Sequence, residues 1–388
     1  MQKPDGLNDA IADIVDAHGG YLAALAHGTA EVAEPDYIAC IPARNESVRV
    51  AACLEALDRV FGPTLRVVLL VNDTVDETAD IAVATAGRLR CAVTVVSMRW
   101  LGAIGSAPRA RALAFALAGL LAPRARLFST DADTNVLPGL REAYDTAFAA
   151  GFDMVCGRIG FIAEEAARLP PSDPRRDATI RTYRDASRHV AALICPDPDN
   201  PWPHHGNIGG ANFAMTARAY QIAGPLPITP FGEDRALRRR FEASGLRISY
   251  ANEPRVETSC RLDSATEGGL SAELKRNRIE ADPLADEALE PPAALLRRLR
   301  LRSLVEREPD RARVRARLVA FGLPESRASE LTVLRPRSMA WYHAETELRC
   351  LERRRLRVSD LARCLPSLIR LRDLFEKAPP GSRGDRAG

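Results

Sequence analysis

The chain has 388 residues, 46% of them hydrophobic and 27% charged, which excludes a disordered tail-like protein and leaves room for two or three packed domains. The formal net charge of +3 conceals an uneven spread: Lys and Arg outnumber Asp and Glu in residues 271–388, while residues 1–270 are net acidic, so two functionally different parts are expected. The longest nearly uncharged apolar run, "ALAFALAGLLA" from Ala112 to Ala122, falls short of the roughly 20 residues that cross a bilayer. The first twenty residues carry scattered acids and no basic start, so no secretory signal is read and a cytoplasmic protein is expected. Eight cysteines stand singly with no C-x-x-C pair, which predicts reduced, mostly buried thiols.

In chain order, residues 1–35 show helical spacing of Leu7, Ile11, Ile14, Val15 and Leu22 before a glycine-containing break, and predict an appended helix or two. From Tyr37 the pattern changes. "DYIACIP" predicts a strand and "ESVRVAACLEALDRV" a helix; "RVVLLV", apolar at consecutive positions, is a strand covered on both faces. "TADIAVATAGRL", "CAVTVVSM", "RARALAFALAGLLA" and "RLFSTDAD" continue the alternation of helix and strand. That order predicts an α/β fold with a doubly wound, mostly parallel sheet of Rossmann-like type, whose ligands lie beyond the carboxyl ends of the strands.

Polar clusters stand at those ends: "PARNE" after the first strand, "NDTVDET" after the second and the Asp131/Asp133 pair after the fourth. Each alone reads as a turn or a helix cap. Three such clusters at one sheet edge need compensation by a cation or a hydrogen-bonding ligand, because grouped carboxylates repel. Past residue 150, "FDMVCGRIGF" predicts another strand, and a proline-rich stretch from Leu169 to Pro203 encloses a helix, "RDATIRTYRDASRHVAALI". "IGGANFAM" predicts a strand and turn, and "GEDRALRRRFEASG" a helix that opens on Glu233 and Asp234.

Five of these segments, "CIPARNE", "VVLLVNDTVDETADIA", "STDADTNVLPGL", "IGGANFAMTARAYQIAGPLP" and "GEDRALRRRFEASGLRISY", resemble in order and spacing the motifs of family 2 glycosyltransferases with the GT-A fold, over about residues 36–268. The resemblance implies a GT-A domain over residues 36–270 and transfer of a hexose from a UDP- or GDP-sugar to an acceptor hydroxyl, inverting and assisted by Mg²⁺ or Mn²⁺. It assigns Asp133 to the metal and Asp131 to the metal's water shell or the ribose. Pro42, Ala43, Arg44 and Glu46 would wall the nucleoside, and Asn72, Asp73 and Asp76 would read the base edge. Gly105, Arg109 and Arg111 would meet the diphosphate at a helix start.

Asp234 would be the general base and Glu233 its positioning partner. Gly209, Gly210, Ala211 and Asn212 would lie under the acceptor, with His204 and His205 as further acceptor contacts. Some related families complete the metal site with a histidine after the Glu-Asp helix; "VETSCRLDSATEGG", residues 256–269, has none. A retaining transferase of the glucosyl-phosphoglycerate synthase type shares the fold and the Asp pair, and a binding protein without turnover is the reading from another class. Residues 271–388 predict basic amphipathic helices that cap the domain, pair two copies or touch anionic lipid at the membrane periphery. They lack the patterns of nucleic-acid binders, so no nucleic-acid partner is expected.

Overall fold

The computed structural model describes residues 6–102, 105–230, 232–262 and 270–378. The chain divides into two compact units, one of residues 1–169, 207–241 and 246–273, the other of residues 170–206, 242–245 and 274–388.

The first unit begins with α1 (Leu7–Ala17) and β1 (Gly20–His27), then runs β2 (Tyr37–Ala43), α2 (Val50–Phe61), β3 (Leu65–Asn72), α3 (Thr78–Ala86), β4 (Ala92–Trp100), α4 (Ala107–Leu121) and β5 (Arg126–Ser129). β6 (Thr134–Val136), α5 (Leu140–Ala149), β7 (Met154–Phe161) and α6 (Ala163–Ala166) follow. After α7 (Pro174–Ile194), a helix of the second unit, come β8 (Phe213–Met215), α8 (Ala217–Ala223), α9 (Glu233–Ala243) and β9 (Ile248–Thr258). The strands form one sheet in the order β1-β4-β3-β2-β5-β8-β7-β9-β6. β2 to β5 are mutually parallel, β8 is antiparallel to both β5 and β7, β9 is parallel to β7, and β1 and β6 run antiparallel along β4 and β9. Six of the nine described strands therefore point one way, the mixed, mostly parallel α/β sheet that the sequence predicts.

Alternate residues of the apolar runs feed two different cores, which is why those runs show no polar alternation. Tyr37, Ala39, Ile41, Val67, Leu69, Val93 and Val95 pack with α2, α3 and α5 on one face. Ile38, Cys40, Val68, Leu70, Val96 and Met98 pack with α1, α4, α8 and α9 on the other. Pro42, which has no N–H, lies past the last rung that β2 shares with β5, Cys40 with Ser129.

One sequence expectation changes. The helical spacing of residues 7–15 is real and forms α1, but residues 20–27 form a strand: Ala and Leu favour helix locally, and the open edge of β4 supplies a hydrogen-bonding partner that overrides that preference. Residues 170–206 group with the C-terminal helices. The second unit holds α7 together with α11 (Pro292–Arg307), α12 (Arg311–Ala320), α13 (Glu325–Val333), α14 (Arg337–Glu347) and α15 (Val358–Lys377), while α10 (Leu270–Ile279) leads into it. Part of its arginine is interior. Arg298 is buried, bonded bidentately to Glu290 at 2.7 and 2.8 Å and to Glu345 at 2.7 Å. Among the described residues no helix is long and apolar enough to cross a membrane.

Asn212 ties the sheet to α5. Its Oδ1 accepts from Tyr144 Oη at 2.5 Å, and its Nδ2 donates to the carbonyls of Arg158 at 2.8 Å and Pro254 at 3.1 Å. Truncation would leave a buried hydroxyl and two carbonyls without partners. Asn212→Ala is therefore expected to lower the unfolding free energy by about 3 kcal/mol, against about 1 kcal/mol for Tyr144→Phe, both read by urea unfolding.

Candidate active site

The carboxyl ends of β2, β3 and β5 and the start of α9 all lie in the first unit, and one arginine joins the last two. Arg111, on the second turn of α4, is buried. Its Nε donates to Glu233 Oε1 at 3.0 Å and its Nη2 to Asp131 Oδ1 at 2.5 Å. Nη1 donates to Ser129 Oγ at 2.8 Å, Gly210 O at 3.0 Å and Thr130 O at 3.4 Å. An arginine on the apolar face of a helix is tolerable only with such partners, and a planar fork can serve several acceptors at once. Gly210 has to be glycine for this: a Cβ there would stand 2.5 Å from Arg111 Nη2.

A second guanidinium stands on the other Asp. Arg261, three residues past β9, bonds Glu46 with both of its Nη groups, Nη1 to Oε2 at 2.9 Å, and the same Nη1 lies 3.2 Å from Asp133 Oδ2. The Thr134 hydroxyl donates to Thr258 Oγ1 at 2.9 Å, and that hydroxyl donates to Asp133 Oδ1 at 3.3 Å. Asp131, Asp133, Glu46 and Glu233 thus form one charge cluster in which two arginines offset part of the charge of four carboxyl groups.

The loops after β3 and β4 are knitted together beside it. The Asn72 amide, oriented by its partners, donates to Ala43 O at 3.1 Å and accepts from Trp100 Nε1 at 3.2 Å. Asp73, in the left-handed region at φ 47°, accepts from the N–H groups of Trp100 and Gly105 at 3.2 Å each. Gly105 allows the indole to lie against the backbone, since a Cβ there would fall 1.6 Å from Trp100 Nε1. Arg109 stacks on that indole, 4.0 Å from the ring centroid, and donates to His18 O at 2.8 Å. Asp76 caps the start of α3 through Thr78 N at 3.1 Å and takes Ser47 N at 3.1 Å.

Burial sets the proton affinities. It pushes Asp133 up to about 7, helped by the charges of Asp131 and Glu46 and opposed by Arg261 and the Thr258 hydroxyl. Burial and the charge of Glu233 push Asp234 up to about 6, against its hydrogen bond from Arg235 N–H and the charge of Arg111. Glu46 is raised by burial despite Arg261. For Arg111, burial alone would lower proton affinity, but Asp131 and Glu233 outweigh it and hold the guanidinium charged.

The structure brings several of the residues that the sequence nominates together. Asp131, Asp133, Glu46 and Glu233 meet through Arg111 and Arg261, and Asp234 opens α9 beside Glu233. Arg111 braces the cluster, Arg109 anchors the segment before β1, and the Asn212 amide faces the core. Arg44 differs: its Nε is buried without an acceptor, as is the Thr130 hydroxyl between Ser129 and Asp131. Gly209, Gly210 and Ala211 precede β8 in the first unit, whereas His204 and His205 belong to the second. Arg261 escapes the sequence reading, because a single arginine in "SCRLDS" carries no motif; the absent histidine nearby was the only signal. Residues 263–269 of that stretch lie outside the described residues.

The cluster consists of hard oxygen donors, the chemistry that suits Mg²⁺ or Mn²⁺, which need one or two carboxylates plus phosphate oxygens and water. Among the described residues no group of three or more His, Cys, Asp and Glu side chains forms a complete cage for a metal ion. Asp133 and Asp131 fit the smaller requirement, on condition that Arg261 yields Asp133 Oδ2.

No family model matches the chain, and no curated protein matches it. Among solved structures, it is similar to glucosyl-3-phosphoglycerate synthase from Mycobacterium tuberculosis in complex with Mn²⁺, UDP-glucose and phosphoglyceric acid, at 16% identity over 72% of this chain and 84% of that one, with a TM-score of 0.40. It is also similar to residues 1–349 of S. aureus TarS in complex with UDP-GlcNAc, at 13% identity over 90% and 88%, with a TM-score of 0.43. Likeness at this level assigns no activity.

Proposed function

We propose that the chain is an inverting GT-A glycosyltransferase of the family 2 type, which moves a hexose from a UDP- or GDP-sugar to an acceptor hydroxyl. The observation that carries this reading is the gathering of Asp131 and Glu233 on one buried guanidinium at the carboxyl edge of the parallel strands, where α/β sheets take their ligands. A donor site and a base are needed side by side for this reaction, and Arg111 fixes that proximity.

Asp133, with Asp131, would hold Mg²⁺ or Mn²⁺; when bound, the cation supplies charge neutralisation at the leaving diphosphate. Arg44 is suited to the nucleotide, because its buried Nε lacks an acceptor that a base or phosphate oxygen would provide. Glu46 and the loops of Asn72, Asp73 and Asp76 would shape the nucleoside pocket, and the Gly209 to Ala211 turn would lie under the acceptor. Asp234 takes the proton from the acceptor hydroxyl as its oxygen forms a bond to the anomeric carbon and the bond to the diphosphate breaks. A carboxylate raised to about 6 is a stronger base than an ordinary aspartate and is still ionised at neutral pH. Arg111 keeps Glu233 in place beside it and touches no reacting atom, so it is a positioning residue.

This reading places the protein in the cytoplasm, with residues 36–270 as the catalytic part. The basic helices of residues 271–388 then serve as a dimer surface or a membrane-peripheral contact. It is tested by release of nucleoside diphosphate from a panel of UDP- and GDP-sugars with Mn²⁺. Turnover of one base class, lost in Asp234→Asn, supports it; binding without any release would make the chain a nucleotide-sugar-binding protein.

A further inference from the structure

Arg261 is held in place by more contacts than an incidental surface arginine would have. Arg49 donates Nε and Nη2 to Glu165 Oε1 at 3.0 and 2.9 Å, and Glu165 Oε2 accepts from Ser259 Oγ at 2.6 Å and Cys260 N at 3.0 Å. Ser259 N donates to Asp133 O at 3.1 Å. The segment leaving β9 is thus pinned on both sides just before Arg261, and its guanidinium reaches Glu46 at the end of β2 and Asp133 after β5. Neither motif predicts the other's partner, yet one positive group serves both.

A divalent cation on Asp133 would sit about 2.1 Å from a carboxylate oxygen. Arg261 Nη1 already lies 3.2 Å from Oδ2 of that carboxylate. Two positive groups on one carboxylate repel at that range unless further negative charge arrives. We propose that Arg261 is the resident counter-cation of this site: it occupies Asp133 in place of the divalent cation and gives it up only when the diphosphate of the donor brings charge for both. The inference rests on the proposed function for its ligand and goes beyond it in assigning Arg261. It makes cation and nucleotide binding mutually dependent, with Arg261 turning its planar fork from Asp133 to the incoming phosphates.

The test is a Mn²⁺ titration of the full chain without nucleotide, followed by the electron paramagnetic resonance of free Mn²⁺. Arg261→Met is expected to bind Mn²⁺ about tenfold more tightly than the natural chain, and Arg261→Lys, which keeps the charge, to stay near it. Arg261→Gln gives the same comparison if the methionine variant fails to fold. Equal or weaker Mn²⁺ binding in the neutral variants, or no binding in any form, would overturn the proposal. Calorimetry with UDP and GDP plus Mn²⁺ on the same proteins keeps the two readings apart. Nucleotide binding with Mn²⁺ affinity unmoved by Arg261→Met removes only the role of Arg261, whereas absence of nucleotide binding removes the transferase reading.

Discussion

Arg111→Met is expected to lower the unfolding free energy by about 3–5 kcal/mol and to abolish nucleotide binding, because it removes one partner of a buried ion network and leaves the others uncompensated. Its guanidinium serves Glu233, Asp131, Ser129 and Gly210 together, from α9, the strand-end turn, β5 and the turn before β8. Methionine fills much of the volume of the arginine stem, so the loss reports charge and hydrogen bonds more than a cavity. The double variant Arg111→Met/Glu233→Gln should cost less than the sum of the two single changes, since the glutamine removes the carboxylate that the first change strands. Urea unfolding of the four proteins checks this, and additive losses would mean that Arg111 and Glu233 act independently.

The second large effect belongs to Asp234. Asp234→Asn is expected to cut donor turnover by about 10²- to 10⁴-fold while leaving nucleotide affinity unchanged, the signature of a lost general base. The rate of the natural protein should rise with pH through about 6 and then level off, because only the ionised carboxylate accepts a proton. Stability moves in the opposite direction. A carboxyl whose proton affinity is raised on folding contributes most below its unfolded pKa, and this contribution is lost as pH rises through the folded value. Ionised Asp234 therefore costs stability on the order of 3 kcal/mol at pH 8, and Asp234→Asn should unfold at a higher temperature than the natural protein there. A variant that is both inactive and less stable at pH 8 would place Asp234 in a structural network.

Much of this arrangement is legible in the sequence. Consecutive apolar residues in "RVVLLV" mark a strand between two cores, and the polar clusters that follow three of the strands mark the carboxyl edge of the sheet; both traits are local in the chain. Position is harder to read than type. Arg109 and Arg111 stand two residues apart at a helix start and look alike in sequence; one stacks on Trp100 near the surface and the other turns into the core, a choice made by Asp131 and Glu233, 20 and 122 residues away. Asn212 sits in a motif that suggests sugar contact, but its amide is consumed by Tyr144 and two distant carbonyls. β1 is a strand because β4 has a free edge, a fact of the assembled sheet. Arg261 depends on Glu46, 215 residues earlier, and no local pattern announces such a pair.

On the proposed function, the strand-end carboxylates form a nucleoside-diphosphate site centred on Asp133. Calorimetric titration of UDP and of GDP in the presence of Mn²⁺, on the natural protein and on Asp133→Ala, tests it most directly. Saturable binding of one of the two nucleotides, lost in Asp133→Ala, is expected; binding of neither nucleotide, or binding that survives the substitution undiminished, would contradict this.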